Sequence, residues 1–157
     1  PRNPLFYGDN LAILREYVPD ASVDLVYLDP PFNSQANYNV LFKDEKGVAS
    51  AAQITAFEDT WHWNNESEWL YDELRLGGGA LGSAIEAIRV IAGNTSPMTA
   101  YLVMMAGRLV ELHRVLKPTG GIYLHCDPTA SHYLEIVMDT IFRPENYVNE
   151  ISWKRTT

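Results

Sequence analysis

The stretch from Val23 to Phe32 constrains the fold of this chain more than any other. It begins with Val-Asp-Leu-Val-Tyr-Leu, a mostly aliphatic run that is typical of a buried parallel strand. Two prolines follow the next acid, and because proline cannot donate to a strand ladder, the strand has to stop at Asp29. The sequence therefore predicts an α/β sheet with a carboxylate at the carboxyl end of a central strand, where open sheets bind ligands.

The acid, the prolines and the ring that follow this strand indicate a particular chemistry. Asp29 and the carbonyl of Pro30 are adjacent acceptors, and together they suit an NH2 group, which has two donors. Pro31 fixes the next peptide, and Phe32 offers a flat face for a ring that carries the amine. Two fixed acceptors free the delocalised lone pair of such an amine for attack, which stabilises the transition state. The alternative is that Asp29 only caps a strand-to-loop turn.

Hydrophobic periodicity predicts the other elements. One helix begins at Gly8-Asp9-Asn10 and ends at Pro19-Asp20, and further helices span 66–76, 80–92, 99–116 and 129–142. A turn is expected at 117–121, and strands are expected at 122–126 and 147–153. The order strand, helix, strand places the carboxyl end of the strand at 122–126 on the same edge as Asp29. Residues 43–97 are interpreted as a helical insertion, which serves as a dimer surface or as a lid.

Length and charge limit the function. With 157 residues the chain has material for one domain. Its net charge of −8 is unfavourable for binding phosphate, so any surface that binds nucleic acid is expected to lie outside these residues. The single cysteine, Cys126, suits a reducing cytosol, and the sequence has no apolar run long enough to span a membrane. We expect a cytoplasmic protein, of which this chain is a fragment.

Five motifs resemble those of amino-group DNA methyltransferases of the permuted β class, the class that includes the methyltransferase subunits of type III restriction–modification enzymes. In chain order they are Gly8-Asp9-Asn10, Asp29-Pro30-Pro31-Phe32, and the segments 112–120, 124–127 and 149–155. The resemblance implies a Rossmann-like S-adenosylmethionine methyltransferase sheet, partial and mostly parallel, with a helical insertion. It makes residues 1–157 the first part of the catalytic domain and puts the Phe-x-Gly-x-Gly cofactor loop and the target-recognition region outside them.

The resemblance also implies a set of site residues. Asp29, Pro30, Pro31 and Phe32 are the expected catalytic residues, and Asp9, Asn10 and Asp29 are expected to bind S-adenosyl-L-methionine. For Asp9 the alternative is a plain helix N-cap.

DNA contacts are expected from four further residues, Asn33, Trp153, Lys154 and Arg155. The alternatives are sheet packing for Trp153 and simple solvation for the two basic residues. A metal site is not expected, because the spacing of His125, Cys126, Asp127 and His132 matches no common zinc pattern.

The predicted function is S-adenosylmethionine-dependent methylation of the exocyclic amino group of a flipped base in double-stranded DNA, with adenine N6 favoured by the family. Methylation of cytosine N4 or of RNA stays open, and so does a non-catalytic dimerisation or docking module. A homodimer and a restriction subunit are the expected protein partners. The isolated fragment is expected to be inactive.

Overall fold

A computed structural model describes residues 3–31 and 61–154, together with the backbone of 37–39 and 55–58. These ranges contain five α-helices, four β-strands and one 3-10 turn. The elements are α1 (Asn10–Tyr17), β1 (Val23–Leu28), β2 (Asn37–Asn39), β3 (Thr55–Glu58), α2 (Asn65–Leu76), α3 (Gly79–Ala92), α4 (Pro97–Val115), β4 (Leu116–Leu124), α5 (Pro128–Phe142) and the 3-10 turn Pro144–Asn146. The predicted α/β class is confirmed. None of the helices in these ranges is long and apolar enough to cross a membrane.

Strands β1 and β4 pair in parallel, and this pairing sets the position of the candidate site. The register joins Val26 to Ile122 and Leu28 to Leu124. Both strands therefore end at the same edge, as the sequence predicted for the strand at 122–126. β2 and β3 form a separate antiparallel pair.

Helix α4 is the centre of the hydrophobic core. Its sequence is apolar on most faces, so other elements can cover it on several sides. The residues of α4 that are fully buried include Tyr101, Leu102, Met105, Ala106 and Leu109. The methionine-containing stripe predicted to be core is thus confirmed as core.

Helices α2 and α3 belong to this same core. Tyr71 and Leu74 of α2 and Ile85 and Ile88 of α3 are buried in the cluster that also contains α4 and α5. The predicted insertion at 43–97 therefore contributes two helices to the central packing, and it also includes β3, which the sequence analysis did not predict. Its division from the rest of the domain remains a prediction.

The turn predicted at 117–121 lies inside strand β4. Val23 pairs with Leu116 and Leu25 pairs with Gly121, so the four residues between Leu116 and Gly121 lie opposite Asp24 alone. The chain thus bulges out of the ladder and returns to it. The end of the helix before this segment was predicted correctly, but the turn was wrong, because the strand starts at Leu116 and not at Ile122.

The strand predicted at 147–153 is wrong. Residues 147–154 form no strand with any described segment, and Tyr147, Val148, Ile151 and Trp153 are exposed. Alternating apolar residues form a strand only where a neighbouring strand supplies hydrogen bonds, and none of the described segments supplies them here.

Candidate active site

Asp29 follows β1 directly and lies open to solvent at the carboxyl edge. Its side chain is 63% exposed, and the two prolines after it are half-buried. Its carboxylate contacts His125, with His125 Nδ1 2.9 Å from Asp29 Oδ1. An acid buried away from any cleft would have contradicted the catalytic interpretation, and Asp29 is not buried.

The pairing of Asp29 with His125 follows from the strand register. Leu28 and Leu124 are partners in the ladder, and the His125 N–H donates to the Leu28 carbonyl at 2.8 Å. Asp29 and His125 are therefore the next pair along the two strands. The backbone brings both residues together before their side chains interact.

The other polar residues after β4 have separate surroundings. Asp127 is the N-cap of α5, and its Oδ1 accepts a hydrogen bond from the Ala130 N–H at 3.1 Å. Cys126 is half-buried, and burial raises the pKa of its thiol, with a smaller contribution from the carboxylates of Asp127 and Glu150. Among the described residues, no three His, Cys, Asp or Glu side chains are grouped so that they could hold a metal ion.

Asp9 caps α1, which is the alternative that the sequence analysis gave for this residue. Its Oδ1 accepts a hydrogen bond from the Leu11 N–H at 2.7 Å. Both of its carboxylate oxygens also contact Arg108 Nη2, at 3.1 and 3.2 Å. Arg108 Nε donates to Asn10 Oδ1 at 2.7 Å. Two of the three residues expected to bind the cofactor, Asp9 and Asn10, are thus held by one guanidinium of α4.

Arg108 is itself largely enclosed. Burial lowers the pKa of its guanidinium, and the charge of Asp9 opposes that effect. Its Nη1 donates to the Met104 carbonyl at 3.2 Å. A cleft of about 430 Å³ opens beside the pair, between α1, α2 and α4, and Trp61 and Trp69 are among its lining residues. A cleft of this size falls in the range of small-molecule sites.

Helices α1 and α4 run side by side in the same direction. Arg108 contacts the start of α1, whereas Arg114 donates to the carbonyls of Leu14 and Val18 near its end, at 2.7 and 3.2 Å. The two helices lead into β1 and β4, so they end near the starts of these strands. Asp9 therefore lies toward the same edge as Asp29.

The remaining predicted site residues are exposed or outside the described residues. Trp153 is 88% exposed, and Lys154 is exposed as well. Phe32, Asn33 and Arg155 lie outside the described residues.

The sequence analysis missed two partners. His125 was considered only as a metal ligand, although extending the register of the predicted strands by one residue would have placed it beside Asp29. Arg108 lies 99 residues from Asp9 in the chain, and its one signal is a charged residue within a mostly apolar helix. That signal does not identify the partner.

Comparison with known proteins gives the family. Residues 23–157 match the family described as DNA methylase. The chain belongs to this family of DNA methylases.

Two of the relatives are Mod subunits of type III restriction–modification enzymes. The chain is 24% identical over 156 residues to the Mod subunit of the type III restriction–modification enzyme EcoP15I of Escherichia coli, covering 98% of this chain and 21% of that protein. It is 28% identical over 155 residues to the StyLTI Mod subunit of Salmonella typhimurium, covering 98% and 20%.

A third relative is the type II methyltransferase M.KpnI of Klebsiella pneumoniae, 24% identical over 149 residues, covering 94% of this chain and 25% of that protein. The chain thus spans about a fifth to a quarter of the length of these curated relatives.

Proposed function

We propose that the protein containing this chain methylates an exocyclic amino group of a base in DNA, with adenine N6 as the favoured target. The single observation that carries the proposal is the exposed Asp29 at the carboxyl edge of β1, followed by two prolines, in a chain of the DNA methylase family. We infer that β1 and β4 are part of a larger Rossmann-like sheet with helices on both faces. Parallel sheets are normally covered on both faces, whereas this pair exposes Leu25, Tyr27 and Tyr123 on one face.

In this proposal Asp29 and the Pro30 carbonyl bind the target amine. Each accepts one N–H of the target NH2, and neither can donate to it while the carboxylate is ionised. This arrangement favours a tetrahedral nitrogen with its lone pair directed away from the acceptors, so the contacts strengthen as the transition state forms. Phe32, and Trp153 as a second plate, stack on the flipped base. Flipping costs a few kcal/mol, and each aromatic contact returns about 1–3 kcal/mol.

The cofactor of the proposed reaction is S-adenosyl-L-methionine, which when bound supplies a methyl group on a positively charged sulfur. Asp9, Asn10 and Asp29 would hold it. The acceptors present fit such a ligand: the Asp9 carboxylate has about four acceptor positions and uses three of them for Leu11 and Arg108. One position is left for a donor such as an adenine amino group, next to the cleft between α1, α2 and α4.

The partners proposed are double-stranded DNA, a second copy of the protein and a restriction subunit. Two relatives are named as Mod subunits of type III restriction–modification enzymes, which supports this choice. Asn33, Lys154 and Arg155 would contact DNA. Since residues 1–157 carry a net charge of −8, most of the basic surface that DNA requires would come from residues outside these.

The test is methyl transfer by the longest reading frame that contains these residues. The protein is incubated with labelled S-adenosylmethionine and either unmethylated duplex phage DNA or RNA, and nucleoside analysis identifies the methylated base. Asp29→Ala should abolish incorporation into DNA while leaving the melting temperature unchanged, because the side chain is exposed. Turnover by Asp29→Ala at the wild-type rate would refute the role of Asp29. Residues 1–157 alone should be inactive in the same assay.

A further inference from the structure

We infer that His125 is a positioning residue for the proposed methylation: it fixes the Asp29 carboxylate so that the second oxygen and the Pro30 carbonyl face the target amine. This inference rests on the proposed function and gives His125 a role that neither the Asp-Pro-Pro-Phe motif nor the family match assigns to it. Its basis is the 2.9 Å contact between His125 Nδ1 and Asp29 Oδ1.

The direction of this hydrogen bond follows from chemistry. An ionised carboxylate has acceptors only, so the hydrogen between the two atoms belongs to His125 Nδ1. Oδ1 of Asp29 is thereby engaged, whereas Oδ2 accepts no hydrogen bond from any of the described residues. One oxygen of the carboxylate is thus held by His125, and none of the described residues occupies the other, which can accept a hydrogen bond from a ligand.

The backbone makes this contact possible without strain. The His125 N–H donates to the carbonyl of Leu28, which directly precedes Asp29, and Leu28 pairs with Leu124 in the ladder. Both Cα atoms are therefore fixed by the sheet. Only the rotation of the two side chains remains, and the Nδ1–H···Oδ1 hydrogen bond removes it for Asp29.

Exposure argues that the contact serves the site more than the fold. The two side chains are 56% and 63% exposed, and ion pairs or hydrogen bonds between such exposed groups contribute little to stability. A catalytic acceptor, in contrast, has to be held close to its productive geometry by neighbouring hydrogen bonds. An untethered Asp29 would sample rotamers in which its oxygens no longer converge with the Pro30 carbonyl on one NH2 group.

The experiment compares variants of the longest reading frame that contains this chain. His125→Ala and His125→Leu both remove the donor, and the leucine keeps more of the side-chain volume, so a folding defect from lost packing would be confined to the alanine. His125→Asn keeps an N–H close to the place of Nδ1. His113→Ala is the matched control, because His113 lies near the end of α4 that leads into β4, away from Asp29, and packs against Phe142.

Each variant is assayed with labelled S-adenosylmethionine and unmethylated duplex phage DNA, and its melting temperature is measured. We expect kcat to fall about 10- to 100-fold in the alanine and leucine variants with KM nearly unchanged, and to return close to wild type in His125→Asn. A wild-type kcat in either folded donor-less variant would overturn the inference, and so would a His125→Asn variant as slow as His125→Leu. If the wild-type protein transfers no methyl group to DNA, the proposed function itself fails; if it is active and His125→Leu is equally active, only the role of His125 fails.

Discussion

Arg108 Nη2 of α4 donates to both carboxylate oxygens of Asp9, at 3.1 Å from Oδ1 and 3.2 Å from Oδ2. The two residues lie 99 positions apart in the chain. The same carboxylate caps α1. Asp9 therefore links the start of one helix to the middle of another and cannot be assigned to capping alone. The two roles can be separated by substitution.

Asp9→Asn should be less destabilising than Asp9→Ala. The amide oxygen of asparagine can still accept from the Leu11 N–H, so Asp9→Asn removes the charge and leaves the cap. Asp9→Ala removes both, and loss of an N-cap costs about 1 kcal/mol. Denaturant unfolding of the two variants gives this difference directly. Equal free energies of unfolding would mean that the cap contributes nothing measurable.

Gly120→Ala should destabilise the bulge in β4. A Cβ at this position would lie 2.7 and 2.8 Å from Cδ1 and Cγ of Leu116 and 3.1 Å from the Asp24 carbonyl oxygen. The Leu116 side chain would have to move away from the new Cβ, and the Asp24 backbone leaves little room on the other side. Overpacking of this kind costs about 1–3 kcal/mol.

Gly121→Ala is the matched control for this bulge. Among the residues that the structure describes, a Cβ on Gly121 would meet only Leu25 Cδ1, at 3.9 Å, which is an ordinary contact. The measurement is the melting temperature of each single variant relative to that of the wild-type protein. If Gly121→Ala lowered the melting temperature as much as Gly120→Ala, steric crowding in the bulge would not be the cause.

The sequence predicts the helices well because the buried residues of each helix repeat at the helical period within its own segment. The stripe through Leu102, Met105 and Leu109 repeats at the helical period, and α4 buries all three of these residues. The strand expected at 147–153 fails because a strand depends on hydrogen bonds from a neighbour, which its own alternation does not specify. The turn predicted at 117–121 fails for the same reason, since the bulge found there is defined by its position opposite Asp24 of the neighbouring strand.

In the candidate site, too, features set by the local sequence could be predicted, whereas contacts between distant segments could not. The position of Asp29 could be predicted, because the prolines end the strand from within the motif. Its contact with His125 depends on the register between two strands, and the contact of Asp9 with Arg108 depends on how α1 packs on α4. Such pairings are properties of tertiary packing, and a single sequence without a structure does not contain them explicitly.

Acid should weaken the packing of α2 on α3 through Glu68. Glu68 accepts hydrogen bonds from Arg89 at 3.2 Å and from Trp63 Nε1 at 2.7 Å, and the Arg89 guanidinium lies over the rings of Trp63 and Tyr71. The hydrogen bonds from Arg89 are the largest cause that lowers the pKa of Glu68 below its ordinary 4.5, and burial opposes them. A carboxyl with a lowered pKa stabilises the folded state fully above pH 4.5, and this contribution is lost as the pH falls through the folded-state value.

The pH dependence of unfolding tests this with two variants. Glu68→Gln should have a flatter loss of unfolding free energy below pH 4.5 than the wild-type protein, because the titrating group is gone. Glu16→Gln, on the exposed side of α1, should leave the wild-type slope unchanged. A Glu68→Gln protein that loses as much stability on acidification as the wild type would assign the acid sensitivity to another carboxyl.

Substitution of Trp153 should lower DNA methylation without changing the stability of the fold. Its side chain is 88% exposed, so Trp153→Ala should leave the melting temperature unchanged, whereas loss of a base-stacking plate should weaken DNA methylation by about 1–3 kcal/mol in kcat/KM. Trp153→Phe keeps a flat ring and should recover most of the activity. Ile151→Ala, which removes another exposed apolar side chain of the same segment, is the control and should remain active. Undiminished kcat/KM in Trp153→Ala would exclude stacking and leave Trp153 as a packing residue for another part of the protein.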